Sequence, residues 1–506
     1  MADTKREIER KYEGPPADAD AGLPDLTGVS GVSGVIDKGV AELDATYYDT
    51  PDQRLAAASL TLRRRTGGDD AGWHLKLPVS EGVRDEVRAP LSDTVPHSLT
   101  GLVRSRVRDA DLVPLVRLRS ARDIRHLVDA SGALLAEVSL DRVRAERLSG
   151  GEGTAEWTEI EVELADDGDP AFLDKVEKKL RKAGLSRSSS PSKLAKALGE
   201  TGTREKPAEA APADKDLVTA GDHVLAYLRA QRDAIVELDP AVRRDVYDSV
   251  HSMRVATRRM RSAFRSYSKV LDRSVTDPIG DELKWLAGEL GVDRDQEVLT
   301  ERLTEALDNL PRTLISGPVR TRLHTWAHAR HGGSRNRLID VLDGKRYLDL
   351  LIAVDVIVSD PPLRKAAQGK PEKVIAKAVR KDFKKVSDLV AEALDRPPGA
   401  DRDLAMHEAR KKAKRTRYAA EAAAPALGKP AADLVKSMKS LQNLLGDHQD
   451  SVMTREALLE LAGQAYAAGE SSFTYGVLYG REEQRAAADE AELPGAWETI
   501  AGQAAV

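Results

Sequence analysis

The sequence predicts a multidomain chain: an N-terminal antiparallel β tunnel or barrel of α+β type, then an all-α domain of two similar helical-bundle halves. Three observations predict it. As far as Leu164, short runs alternate apolar and charged residues, the period of half-buried strands. From Leu217 onward apolar residues recur at helical spacing instead. One basic stretch, Val250 to Arg265, returns about 156 residues later as Met406 to Tyr418.

At 506 residues the chain is too long for one core, and 41% hydrophobic content suffices for globular folding. The absence of Cys excludes disulfides and thiolate metal sites. There is no run of about 18 apolar residues and no charged-then-apolar leader, so a cytoplasmic protein without a membrane partner is expected. The net charge of −5 says little about partners, because basic stripes sit in an otherwise acidic chain.

The first strand, Lys5 to Glu13, puts Glu7, Glu9 and Lys11 on one face. Arg63 and Arg65 then lie opposite Leu60 and Leu62, and Trp73-His74-Leu75-Lys76-Leu77 treats Lys76 the same way. Arg84, Glu86 and Arg88 alternate, as do Arg117 and Arg119, then Glu137, Ser139 and Asp141. Glu159, Glu161 and Glu163 close the series, with turn signals such as Thr66-Gly67-Gly68-Asp69 between runs. Each run alone reads as a half-buried strand with a wet face. Together they predict a closed barrel with a polar lumen, covered outside by helices at Val35 to Leu43 and Phe172 to Ala183. Such a lumen suits a hard cation and a polyanion: carboxylates for the metal, Arg and Lys for phosphate oxygens.

Glu7-x-Glu9-x-Lys11, then Tyr48-Asp49-Thr50-Pro51 with Leu62-Arg63-Arg64-Arg65, then Glu159-Ile160-Glu161-Val162-Glu163-Leu164 resemble, in that order, the CYTH superfamily of triphosphate tunnel metalloenzymes. The resemblance covers residues 1–199. It implies an eight-stranded antiparallel tunnel that hydrolyses or cyclises triphosphates with Mg²⁺ or Mn²⁺. By position, Glu7, Glu9, Glu161 and Glu163 match the metal-binding, catalytic carboxylates, and Glu86, Glu137 and Glu159 other tunnel acids. Lys11, Arg63, Arg65, Lys76, Arg84, Arg117 and Arg119 match the triphosphate-binding residues, and Lys193 the basic residue near the domain's end. No motif member is missing, so an active catalyst is expected. The Gly- and Pro-rich insert from Gly14 to Gly34 is a departure, expected to reshape one tunnel mouth. Aromatic content of 4% favours inorganic triphosphate or short polyphosphate over thiamine triphosphate or a nucleotide.

Residues 200–214 read as a linker, and 215–506 as the helical domain, with halves roughly at 215–355 and 370–500. Helices are expected from Leu217 to Val236, Val246 to Val270, Asp281 to Leu290, Val319 to His331, Val374 to Leu394, Asp403 to Ala424, Ala432 to Leu445 and Met453 to Ala468. At about 100° per residue, His251, Arg254, Arg258 and Arg261 share one face, and His407, Arg410, Lys414 and Arg417 take the same offsets. Arg265 and Lys411 extend these faces, and Lys377, Arg380 and Lys384 form a further one. No acid lies between His251 and Arg265, so the stripe repels itself until an anion relieves it; phosphate fits Arg and Lys best. Basic faces are often only solvated, but two copies in one register argue against that reading. Leu290-Gly291 and Leu445-Gly446 read as helix C-caps, with Asp295 and Asp450 capping the next helix or pairing with a stripe Arg.

With both histidines in these contexts, residues 215–500 resemble the CHAD family of conserved-histidine α-helical domains. That resemblance implies a two-lobed helical fold binding inorganic polyphosphate. No second His at i+4 supports a metal at His251 or His407. The expectation is therefore a metal-dependent phosphohydrolase with an attached polyphosphate-binding domain. The alternatives are a non-catalytic polyphosphate scaffold and an enzyme for organic triphosphates. Nucleic acid is not expected as a stacked partner, since aromatics scarcely interrupt the stripes.

Overall fold

A computed structural model describes residues 3–14, 22–202, 217–331 and 334–503. The chain divides into two compact units, Met1–Ala210 and Ala211–Val506. In the first, β1 (Asp3–Glu13), β2 (Gly34–Asp49), β3 (Thr61–Thr66), β4 (Gly72–Ser80), β5 (Val83–Ala89), β6 (Val113–Val128), β7 (Leu134–Arg147) and β8 (Thr154–Leu164) form a closed barrel. The order round the barrel is β1-β5-β4-β3-β2-β6-β7-β8, and every pairing is antiparallel.

Alternation gives each strand two faces. Outward, Leu62, Leu75, Leu77 and Val87 pack with Leu99, Leu102 and Val103 of α2 (His97–Val107). Val138, Leu140, Ile160 and Val162 pack with Phe172, Leu173, Val176 and Leu180, the apolar stripe of α3 (Ala171–Lys182). Each such side chain contributes roughly 1.5–3 kcal/mol when fully buried. The charged alternates of β1, β3, β4, β5 and β8 are thereby left facing the lumen.

Val35 to Leu43 is not a helical cover. It lies within β2, paired with β6 from Gly34↔Val128 to Asp49↔Val113. Val35, Ile36 and Val40 are β-branched, and Gly39, at φ 80°, absorbs the bulge after Asp37. The predicted cover at Phe172 is present as α3. From the Gly14–Gly34 insert, Leu26 and Val29 pack into the same outer core as α3; residues 15–21 lie outside the described residues. The short helix α1 (Arg54–Ala57) explains Tyr48-Asp49-Thr50-Pro51. The fully buried Asp49 carboxylate accepts from the backbone N–H groups of Thr50, Leu55 and Ala56 at 2.7, 2.9 and 2.8 Å.

The helix α4 (Lys193–Thr201) enters the barrel's interior: Leu194 and Ala197 pack against Ala45, Tyr47, Val116, Leu118, Val143 and Trp157. Ser192 caps it, accepting from the Ala195 N–H at 3.0 Å. It runs past residue 199, and the expected linker from 203 to 214 lies outside the described residues.

The second unit is helical: α5 (Ala220–Arg243), α6 (Ser249–Ser266), α7 (Arg273–Glu289), α8 (Val292–Asp308), α9 (Val319–His331), α10 (Ser334–Asp343), α11 (Lys345–Ser359), α12 (Pro371–Asp395), α13 (Ala400–Leu427), α14 (Lys429–Ala467) and α15 (Phe473–Gln503). The repeated helices α6 and α13 share one core, in which Met253, Ala256 and Met260 join Met406, Ala409 and Ala413. Tyr267 Oη donates to the Ala419 carbonyl at 2.6 Å. A second core unites α8 and α9 with the C-terminal part of α14 and the start of α15 through Leu307, Trp326, Leu461 and Tyr475.

The break expected between Leu445 and Met453 does not occur, because α14 continues through Gly446. Asp450 is therefore mid-helix and caps nothing. Its Oδ1 lies 3.6 Å from Arg410 Nη1, so the pairing reading holds. The Asp295 side chain lies outside the described residues.

Candidate functional site

The barrel encloses a cavity of about 190 Å³ that includes nine Lys or Arg and seven Asp or Glu side chains in its lining. Of the expected residues, Glu7, Glu9, Lys11, Arg63, Arg65, Lys76, Arg84, Glu86, Glu137, Glu161, Glu163 and Lys193 all line it. Register brings the acids together: Glu9 faces Glu163 and Lys11 faces Glu161 across β1 and β8, while Glu137 faces Glu163 and Ser139 faces Glu161 across β7 and β8. Lys193, first residue of α4, reaches Asp141, Glu159 and Glu161 at 2.9, 2.6 and 2.6 Å. Lys11 bridges Glu9 and Glu161.

These charges are unevenly balanced. Burial pushes Glu9 up, but Lys11 and Lys76 overcome it and hold its carboxyl at about 2. Glu7, 3% exposed, is pushed up to about 7: burial and the like charges of Glu86 and Glu163 outweigh Lys76. Glu7 keeps Lys76 and Arg88 beside it at 2.5 and 3.8 Å, and Asp141, Glu159 and Glu161 offer carboxylate oxygens within 4.8 Å of one another. Hard-oxygen donors crowded in this way fit a divalent cation.

Arg117 and Arg119 are not in the lumen. Both project outward and pair with Asp44, Arg117 at 2.6 Å and Arg119 at 3.6 Å. On β6 the inward face at that level is apolar, Val116 and Leu118, because α4 occupies the interior there. The inward guanidinium is Arg122, absent from the sequence-based set, which donates twice to Asp141 at 2.7 Å and once to Glu161 at 2.8 Å. Asp141 itself, 0% exposed, was likewise missed as a site residue, although its alternation with Glu137 and Ser139 is legible. Lys5, Tyr47, Thr61, Asp70, Arg88 and Ser192 complete the lining missed from sequence, Tyr47 accepting from Arg63 Nη1 at 3.3 Å.

In the helical unit the basic stripes meet but then divide. Arg254, Arg258, Arg410 and Lys414 act on one another; burial and these three arginines, against Asp450, push the Lys414 ammonium down to about 7. The repeated glycines make room for two of them. A Cβ at Gly291 would lie 2.5 Å from Arg254 Nη2, and one at Gly446 3.1 Å from Arg410 Nη2. The C-cap reading of Gly446 is thus replaced by close approach of a guanidinium.

Arg261 and Arg265 face a different cavity, of about 340 Å³, with Lys381, Lys385 and Arg415. Arg417 leans on Tyr418, 4.9 Å from the ring centroid, and on Glu421 at 3.8 Å. Lys411 pairs with Glu408 at 2.7 Å and Lys384 with Asp388 at 3.0 Å. Lys377 and Arg380 are exposed, so the cavity-facing members of the α12 basic face are Lys381 and Lys385. His251 is exposed, whereas His407 is half-buried and its imidazole is pushed down by burial and Lys411.

A closed barrel with an ionised lumen, followed by a helical unit carrying a repeated cationic stripe, defines a triphosphate-tunnel type of protein with an attached helical domain. Residues 5–198 match the CYTH domain and residues 226–459 the CHAD domain, and the chain belongs to this CYTH–CHAD family. It is 38% identical over 491 residues to the uncharacterized protein MT2285 of Mycobacterium tuberculosis (strain CDC 1551 / Oshkosh), covering 94% of this chain and 92% of that one. Among solved structures, it is similar to PptA from Streptomyces chartreusis at 21% identity and TM-score 0.47, covering 56% of this chain and 99% of that one. The CHAD domain from the plant Ricinus communis aligns at 22% identity and TM-score 0.45, covering 57% of this chain and 93% of that one. CYTH proteins are metal-dependent, and the Asp141, Glu159 and Glu161 cluster of the barrel could hold a metal ion. Among the described residues no helix is long and apolar enough to cross a membrane.

Proposed function

We propose that the tunnel hydrolyses inorganic triphosphate or short polyphosphate with Mg²⁺ or Mn²⁺, and that the helical unit binds inorganic polyphosphate. The observation that carries the reading is the lumen's lining: nine cations and seven acids, with Tyr47 the one aromatic among the described lining residues. A nucleobase or thiazolium ring would have little to stack on, whereas a phosphate chain finds guanidinium forks and ammonium groups along its length.

Glu7, Glu9, Glu161 and Glu163 would hold the metal, which supplies charge withdrawal from the phosphoryl oxygens and activation of water. Lys11, Arg63, Arg65, Lys76, Arg84 and Arg122 orient the chain, and Lys193 holds Asp141, Glu159 and Glu161 in place behind it. In the helical unit Arg254, Arg258, Arg410 and Lys414 form the central anion contacts, and their mutual repulsion is what a polyanion relieves.

The test is phosphate release from inorganic triphosphate, ATP and thiamine triphosphate with either metal, in the full chain and in Glu7→Ala/Glu9→Ala. Release fastest from inorganic triphosphate and reduced at least about 10³-fold in the double variant supports the assignment. Retained polyphosphate binding with no release from any of the three would make the protein a binding scaffold.

A further inference from the structure

The turn between β3 and β4 sends one of the seven acids into the tunnel lining. Asp70 lines the cavity, and its carboxylate pairs with Arg65, which is 5% exposed. The turn is held from two sides. Toward β2, Gly67 adopts φ 81° and a Cβ there would stand 2.0 Å from the Glu42 carbonyl oxygen; Gly68, at φ 70°, would meet Leu43 Cδ2 at 2.9 Å. Only glycine permits both this backbone and this approach. Toward the lumen, His74, 1% exposed, bridges the turn to the wall: Nε2 lies 2.9 Å from the Asp70 carbonyl oxygen and Nδ1 3.0 Å from Glu86 Oε1. The Asp70 carboxylate therefore projects from a fixed backbone.

Arg65 has reason to keep an anion beside it. It lies among Arg63 and Arg122, and burial together with these two charges pushes its guanidinium down to about 9. A phosphoryl group would meet the same need, but Asp70 is already there.

We propose that Asp70 is a specificity-determining residue: positioned by His74 and the Gly67-Gly68 turn, it takes the place of one phosphoryl group on Arg65 and so limits the length of phosphate chain the tunnel accepts. This rests on the reading that the tunnel takes a phosphate chain. A chain too short to reach Arg65 is indifferent to Asp70, and one long enough must displace it or bear its repulsion.

The experiment is calorimetric titration of the full chain and of Asp70→Asn with inorganic pyrophosphate, triphosphate and tetraphosphate, without divalent cation so that nothing turns over. Both proteins carry the same helical unit, so its contribution cancels in the comparison. The expected result is tetraphosphate bound about tenfold more tightly by Asp70→Asn, ~1.4 kcal/mol, with pyrophosphate changed by less than about threefold. Asp70→Glu, which restores the charge, should return tetraphosphate to wild-type affinity, and Asp70→Ser should behave as Asp70→Asn. Equal affinities for wild type and Asp70→Asn, or the same gain at every chain length, would overturn the role of Asp70 while leaving the tunnel reading standing. Failure of wild type and Asp70→Asn alike to bind any of the three would overturn both.

Discussion

Polyphosphate binding should weaken as pH rises through neutrality, and Lys414 should be the reason. In the unliganded helical unit its ammonium titrates at about 7, because it is buried beside Arg410, Arg258 and Arg254. A bound polyanion offsets those like charges and restores the pKa to roughly 10. The sign follows from linkage. Binding takes up a proton, so the affinity is fully present below the unliganded pKa and is lost as pH rises above it. With those two values the affinity falls about 20-fold from pH 6.5 to 8.5, ~1.8 kcal/mol. Lys414→Arg keeps the charge at every pH and should flatten this dependence. Titration calorimetry with long-chain polyphosphate, in two buffers of different ionisation enthalpy, reads the proton uptake directly, and any titration of the ligand is common to both proteins. Equal uptake at pH 7.5 by wild type and Lys414→Arg would refute the argument.

The tunnel offers further checks. Arg122→Ala strips one of the two cations from a fully buried Asp141, which keeps Lys193 at 2.9 Å, and should cost about 1.5–3 kcal/mol of stability together with most triphosphate turnover. Arg117→Ala removes a part-exposed pair on the outer wall and should change stability by less than about 1 kcal/mol and leave turnover unchanged. Equal losses in the two, by denaturant melts and phosphate release, would mean that the inward and outward faces of β6 are misassigned. Asp49→Ala leaves three backbone N–H groups without their acceptor and should destabilise the first unit by roughly 1–3 kcal/mol, visible as a lowered melting temperature, with turnover retained well below it.

Much of this protein is legible in the residues themselves. A strand of period two has a charged face and an apolar face whatever surrounds it, so Glu7, Glu9 and Lys11, or Glu159, Glu161 and Glu163, are grouped by the chain alone. A helix of period 3.6 likewise groups His251, Arg254 and Arg258, and its return at His407, Arg410 and Lys414 marks a repeat before any packing is known. What alternation leaves open is which face points inward. On β6, Arg117 and Arg119 resemble the other lumen cations, yet α4 fills the barrel at that level with Leu194 and Ala197, so the apolar face turns in and Arg122 and Asp141 supply the buried pair. The stripe of α6 was divided in the same way: Arg254 and Arg258 face Lys414 of α13, while Arg261 and Arg265 face Lys381 and Lys385 of α12. Local periodicity is a property of neighbours in the chain, whereas burial and charge pairing depend on neighbours in space. The former determined the elements and their two faces here, and only tertiary packing decided which charges meet.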